Sequence, residues 1–206
     1  MSATARIDPL PISEWSPELT DLVLNLRSTV IGDAEEADGG QPAHESGGNS
    51  AGDNVIGTLA NHPSLAMAFL PFNKYLLTEN TLSTRQRELL ILRVAHLQQS
   101  DYEWAKHAHI ATSVGFTPED LERVMEGPRA GEWSESERVL LTAADELLQD
   151  GAISAETWIE SKAHFDERQV TDLVFTVGSY SMLSMALRSF AVQTEEELRA
   201  YLPDHP

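Results

Sequence analysis

The chain has 206 residues, of which 41% are hydrophobic and 23% charged, which is the composition of a globular protein rather than a disordered one. Its 14 Lys and Arg residues against 33 Asp and Glu residues give a net charge of -19. Such a charge repels phosphate groups, so we expect neither nucleic acid nor a membrane as a partner. The absence of cysteine excludes disulfides, thiolate metal sites and thiol catalysis.

Residues 1–31 are predicted to form an N-terminal helical extension. Ser16-Pro17 is typical of a helix start, because proline is favoured in the first turn. The apolar residues that follow recur at helical spacing and are Leu19, Leu22, Val23 and Leu26. No signal-peptide pattern precedes them and no run of about 18 apolar residues occurs, so we expect a cytoplasmic protein.

Residues 32–53 are rich in Gly, Ser, Asn and acidic residues and contain almost no apolar side chain. Such a segment cannot pack into a core, so a long loop is predicted. Loops of this length are either disordered tethers or lids over a site, and both alternatives stay open. His44 within the loop is interpreted as a solvated residue rather than a ligand.

Residues 54–206 are predicted to form a helical domain, with the whole chain as a single domain. Capping residues or a first-turn proline indicate the helix starts, at Pro63, Ser83 or Thr84, Ser100, Pro118, Ser134 and Ser154. Residues 167–192 are the most apolar stretch and should form a central helix or a pair broken around Gly178. No run alternates apolar and polar residues with a period of two, so the predicted fold class is all-α.

Two similar dipeptides suggest a degenerate internal repeat. Arg85-Gln86 precedes one apolar helix and Arg168-Gln169 precedes another. If the similarity is not chance, the fold contains two copies of a helical unit packed about a shared core.

Three polar side chains share one face of the predicted helix that begins near Ser100. Ser100, Glu103 and His107 stand at positions i, i+3 and i+7. Glu103 and His107 are also an i, i+4 pair, so the carboxylate can fix the imidazole and raise its pKa. The spacing alone is weak, since surface helices contain such pairs without any chemistry.

Three strings in this region resemble the carboxymuconolactone decarboxylase family, to which the alkylhydroperoxidase D (AhpD) type belongs. They are RQRELLILRVA at 85–95, DYEWAKH at 101–107 and GFTPED at 115–120. The resemblance covers roughly residues 54–126 strongly. It implies an AhpD-like multi-helix bundle that uses no cofactor and assembles into trimers or hexamers. The large apolar stripes of the helices also favour self-association, so a homo-oligomer is expected, as a dimer, trimer or hexamer.

The resemblance also identifies the positions of two cysteines that this sequence lacks. In the peroxidase branch, a Glu is followed by a CxxC pair and then by a His, at positions that correspond here to 88, 100, 103 and 107. This sequence retains Glu88 and His107 but has Ser100 and Glu103 in place of the two thiols. The chain therefore resembles the cysteine-free YEWxxH branch, and thiol peroxidase activity is disfavoured.

The predicted activity is that of an acid/base lyase that decarboxylates a small lactone or keto acid. Loss of carbon dioxide leaves a dienolate-like carbanion, which a cationic His107 would protonate as general acid/base. Glu103 and Glu88 would orient the imidazole and balance its charge.

Substrate binding is assigned to Arg93, Ser100, Phe72 and Tyr75. An arginine would hold the departing carboxylate, and the candidates are Arg85, Arg87 and Arg93. Arg93 is preferred, because a structural ion pair near the helix start also explains the other two. Phe72 and Tyr75 could line an apolar pocket, although core packing explains them as well.

Three alternatives stay open. The same acid/base pair would serve an isomerase or a dehydratase. Glu88, Glu103 and His107 could instead hold a divalent metal, although the expectation is that no metal binds. The chain could also be a non-catalytic helical module whose apolar faces serve oligomerisation.

Overall fold

The computed structural model describes residues 4–35 and 53–203, and the side chains of 4–26 and 54–203. Every regular element in these ranges is helical, which confirms the all-α prediction. The α-helices are α1 (Pro17–Glu35), α2 (Asp53–Ala60), α3 (Pro63–Lys74), α4 (Thr84–Leu97), α5 (Asp101–Ser113), α6 (Pro118–Glu126), α7 (Glu135–Asp150), α8 (Ala155–His164) and α9 (Glu167–Phe190). A π-turn (Tyr75–Glu79) follows α3, and 3-10 turns occupy Ile12–Glu14 and Glu196–Tyr201.

Helix starts lie where the capping residues predict them. Four helices begin with a capping box, in which the N-cap side chain accepts a hydrogen bond from the amide of the third helical residue and the side chain of that residue accepts one from the N-cap amide. The N-cap residues are Ser83, Thr117, Ser134 and Asp166. Each such cap contributes about 1 kcal/mol. His62 caps α3, and its Nδ1 accepts a hydrogen bond from the amide of Leu65.

The predicted N-terminal extension continues further than expected, since α1 runs through Glu35. The predicted loop of residues 32–53 is therefore shorter at that end, and Asp53 already belongs to α2. Residues 36–52, with His44 and the choice between tether and lid, lie outside the described residues.

Helix α4 forms the centre of the main core. Residues 88–95 are all buried, because α4 packs against α5, α6, α7 and α9. Four leucine and isoleucine side chains on this stretch have no exposed surface, and each contributes about 2 kcal/mol of burial free energy; they are Leu89, Leu90, Ile91 and Leu92. A second, smaller core joins α1, α2 and α3 around Trp15, Leu19 and Leu70.

Helix α9 is continuous, so the alternative of a break at Gly178 is wrong. It is long and apolar enough to cross a membrane by length and composition alone, but half of that segment is buried against other helices. A helix of this kind is typical of a protein core. Helices α4 and α9 both begin with a capping box whose third residue is Gln, and the two helices pack together. These features do not test the internal repeat, which stays a prediction.

Candidate active site

The central pair of helices brings Glu88, Glu103 and His107 together. Glu88 comes from α4, and the other two come from α5, which packs beside it. His107 Nδ1 lies 2.6 Å from Glu88 Oε2, and His107 Nε2 lies 3.4 Å from Glu103 Oε2. The three side chains are 0%, 3% and 4% exposed in that order, so an imidazole is held between two buried carboxylates. We call this group the Glu-His-Glu cluster.

Arg87 fixes the far side of the cluster. Its Nε and Nη2 each lie 3.0 Å from Glu88 Oε1, and its Nη1 donates to the Leu77 carbonyl. Both oxygens of Glu88 are therefore engaged, one by the guanidinium and one by the imidazole. An ion pair is thus the observed role of Arg87.

Tyr180 of α9 closes the cluster from a third side, and its sequence context gave no sign of this. Its ring meets that of His107 edge to face, with centroids 5.0 Å apart and planes at 89°. Burial raises the pKa of Tyr180, so the phenol stays neutral at ordinary pH. Tyr180 therefore adds an apolar wall without adding charge.

The electrostatics of the cluster favour an imidazolium. Burial lowers the pKa of His107, but attraction to Glu88 and the interactions of its two N–H groups with the Glu103 and Glu88 carboxylates outweigh this effect and raise the pKa to about 9. Burial raises the pKa of Glu88, yet His107 and Arg87 bring it below its ordinary value. At neutral pH, His107 is therefore a cation between carboxylates.

Ser100 lies on the same face of α5, one turn before Glu103. It is the N-cap of α5, but its side chain makes no capping hydrogen bond. The residue is 1% exposed, and its Oγ has no hydrogen-bond partner. A buried hydroxyl without a partner costs free energy, and a hydrogen bond to a bound molecule would remove that cost.

Arg93 is not brought to the cluster. It lies five residues after Glu88, about 140° around α4, and therefore faces α6 and α7. Its Nε and Nη2 lie 2.7 and 2.8 Å from the two oxygens of Asp145, and its Nη1 donates to the carbonyls of Val124 and Met125. These contacts make Arg93 a tie between helices.

Phe72 and Tyr75 pack against the main core at its α9 side. The Tyr75 hydroxyl donates to Asp172 Oδ1 at 2.8 Å, which commits it to a protein partner. Phe72 meets Phe175 edge to face at 6.2 Å. Neither residue lines the two grooves described next.

Two grooves open on the described surface. One, of about 530 Å³, lies between the start of α5 and the end of α9, and its walls include Ser100, Asp101, Tyr102, Arg188 and Arg199. We call it the α5 groove. The other, of about 590 Å³, lies beside α7, and its charged walls are Arg93, Arg129, Arg138, Glu126, Asp145 and Glu146. We call it the α7 groove. Of the two, only the α5 groove includes a residue of the polar face of α5, which is Ser100.

The arrangement of the His, Asp and Glu side chains can be compared with that of a metal site. Among the described residues, no group of three or more His, Asp and Glu side chains is arranged to hold a metal ion. Within the cluster, the carboxylate oxygens and imidazole nitrogens instead face one another as acid/base partners.

Solved structures define the class of fold. The debrominase Bmp8, as a cysteine-to-alanine variant in complex with 2,3,4-tribromopyrrole, is 19% identical with a TM-score of 0.72, over 98% of this chain and 97% of its own. An uncharacterized peroxidase-related protein with an AhpD core, from Ralstonia eutropha JMP134, is 15% identical with a TM-score of 0.71, over 96% of both chains. A peroxidase-related protein from Silicibacter sp. TM1040 is 19% identical with a TM-score of 0.69, over 94% and 93%. The fold is therefore AhpD-like.

A family model matches a shorter part of the chain. Residues 63–146 match the carboxymuconolactone decarboxylase family. The match runs from α3 into α7 and contains all three residues of the Glu-His-Glu cluster, so the resemblance seen in the sequence is confirmed over this part of the chain. No curated protein matches the chain significantly.

Proposed function

We propose that the chain is a cofactor-independent acid/base lyase that decarboxylates a small lactone or keto acid, with His107 as general acid. The observation that supports this most strongly is the buried imidazole between Glu88 and Glu103, whose pKa is raised to about 9. An imidazolium in a site shielded from water is suited to protonate a carbanion.

The two ring nitrogens have different roles in this proposal. Nδ1 is tied to Glu88 at 2.6 Å, which sets the orientation of the ring. Nε2 faces Glu103 at 3.4 Å, longer than the usual hydrogen-bond limit of about 3.2 Å. The Nε2 proton is therefore held less tightly and is the one transferred.

The proposed reaction replaces the carboxylate on a substrate carbon with a proton. The bond between the substrate carbon and its carboxylate breaks, carbon dioxide leaves, and the electron pair stays on the carbon, delocalised into the adjacent carbonyl. His107 Nε2–H then transfers its proton to that carbon. The neutral imidazole stands between two carboxylates, which favour its reprotonation from solvent. The net change is one proton taken up and one carbon dioxide released.

Thiol chemistry is not part of the proposal. The debrominase that shares the fold carries a cysteine, which its solved variant replaces by alanine, whereas this chain contains none. Isomerisation and dehydration use the same proton transfer and differ in the substrate, so they are the second candidate for the same site.

Self-association is inferred beside the enzymatic role. Helix α9 exposes apolar side chains at intervals of seven and three residues, which lie on one face of the helix and form a stripe: Phe175, Met182 and Met185. Such a stripe fits a homo-oligomer, as a dimer, trimer or hexamer. The non-catalytic module would use this surface alone, so it predicts that changes in the Glu-His-Glu cluster affect stability only.

The test is a screen of carboxylactones and keto acids with detection of released carbon dioxide. His107→Gln and Glu103→Gln should fold and lose turnover by about 100-fold or more. His109→Gln is the matched control, since His109 lies on the same helix but is exposed and contacts Tyr201. Retention of full activity in His107→Gln would refute the assignment, and no carbon dioxide from any carboxylactone would eliminate that substrate class. Elemental analysis of the purified protein tests the metal alternative.

A further inference from the structure

The start of α5 combines two features that favour an anion. The first is the helix N-terminus, where amide groups point outward and carry a partial positive charge. Ser100 does not satisfy them, because its side chain makes no capping bond. By contrast, Ser83 and Ser134 cap their helices.

The second feature is the Ser100 hydroxyl itself. Its Oγ is buried and has no partner, and Ser100 forms part of the wall of the α5 groove. A buried hydroxyl is normally satisfied by protein or by a bound molecule. This oxygen therefore points to a ligand with a hydrogen-bond acceptor at the base of the groove.

The charges of the groove specify the ligand further. Its charged walls are Arg188 and Arg199 against Asp101. Arg199 pairs with Glu196 at the exposed rim, whereas Arg188 has no ion-pair partner among the described side chains. With Asp101 and Glu196 counted against the two arginines, Arg188 is the guanidinium of this groove that no described carboxylate pairs with.

The α7 groove lacks these properties although it is slightly larger. Its three arginines face three acidic residues, and Arg93 is held by both oxygens of Asp145. Its charges therefore cancel, which makes it a natural comparison for experiments.

We propose that the α5 groove is a carboxylate-binding site, in which Ser100 Oγ and the first-turn amides of α5 hold the acid group and Arg188 covers it. Glu103 lies about 4.5 Å and His107 about 10 Å further along α5. A small organic acid bound at Ser100 thus extends toward the Glu-His-Glu cluster. That this acid group belongs to the enzyme's substrate rests on the proposed function. The α5 groove then takes the carboxylate-binding role that the sequence predicted for Arg93.

Binding is tested on the full chain by NMR titration with sodium acetate at constant ionic strength, with neutral acetamide as the matched probe. Saturable shifts of the amides of residues 101–103 are expected with acetate but not with acetamide. Arg188→Gln should weaken acetate binding about tenfold, as loss of a hydrogen bond to a charged group does. Ser100→Ala should weaken it about fivefold. Arg138→Gln, in the α7 groove, should leave it unchanged.

Shifts that do not saturate, that acetamide reproduces, or that persist unchanged in Arg188→Gln would overturn the site. These outcomes are separate from those of the proposed function, since acetate binding needs no turnover. Where a carboxylactone is turned over, Arg188→Gln should raise KM about tenfold and retain kcat, while His107→Gln loses kcat. An unchanged KM in Arg188→Gln would show that the substrate's acid group is held elsewhere.

Discussion

The raised pKa of His107 should appear in the pH dependence of stability. In the unfolded chain the imidazole has its ordinary pKa of about 6.5, and in the folded protein the pKa is about 9. Because the folded state binds the proton more tightly, the stabilisation is fully present below pH 6.5 and is lost as pH rises through about 9. The difference corresponds to about 3 kcal/mol.

The assay is urea denaturation at pH 6 and pH 10, for the unmodified chain and for His107→Gln. Other groups titrate in this range too, so the comparison of the two proteins isolates the contribution of His107. The unmodified chain should lose about 3 kcal/mol more than the variant between the two pH values. His109→Gln controls for loss of an exposed imidazole and should follow the unmodified chain. Equal losses in the unmodified chain and His107→Gln would refute the stabilised imidazolium.

Two further pairs of variants test the local structure. Ser100→Ala should keep the free energy of unfolding or raise it by up to about 1 kcal/mol, because it removes a buried hydroxyl without a partner. Ser83→Ala should lower the free energy of unfolding by about 1 kcal/mol, because it removes a capping box. Equal losses of the two variants in urea denaturation would contradict this contrast. Gly127→Ala should destabilise the protein more than Gly151→Ala. Both glycines have positive φ, but a Cβ at Gly127 would come 2.5 Å from Arg93 Nη2, while nothing lies within 4 Å of a Cβ at Gly151. The unfolding temperature of Gly127→Ala should therefore be the lower one, and the reverse order would mean that the Arg93 side chain moves aside without cost.

Local patterns in the sequence predict most of the helices. Capping residues such as Ser134 and Asp166 act within four residues of themselves, so their effect is visible without a structure. The same holds for Glu103 and His107, whose i, i+4 spacing fixes their approach on one helix. Glu88 is on another helix, and only the resemblance to a family joined it to them.

Long-range packing decides what the sequence could not predict. Tyr180 reaches His107 because α9 lies across the bundle, and no spacing links residues 73 positions apart. Arg93 was assigned to the substrate by residue type, but its angular position on α4 directs it toward Asp145. Likewise, Arg188 reaches the start of α5 only through the packing of the end of α9.

The protonation state of His107 is the central feature of the proposed site, and an NMR titration of the histidine side chains measures it most directly. With ¹⁵N-labelled histidine, the His107 ring should remain an imidazolium at pH 7.5 and titrate near pH 9. In Glu88→Gln its pKa should fall, because the main charge that raises it is gone. A His107 ring that is neutral at pH 7.5, or whose pKa is the same in Glu88→Gln, would contradict a general acid held between two carboxylates.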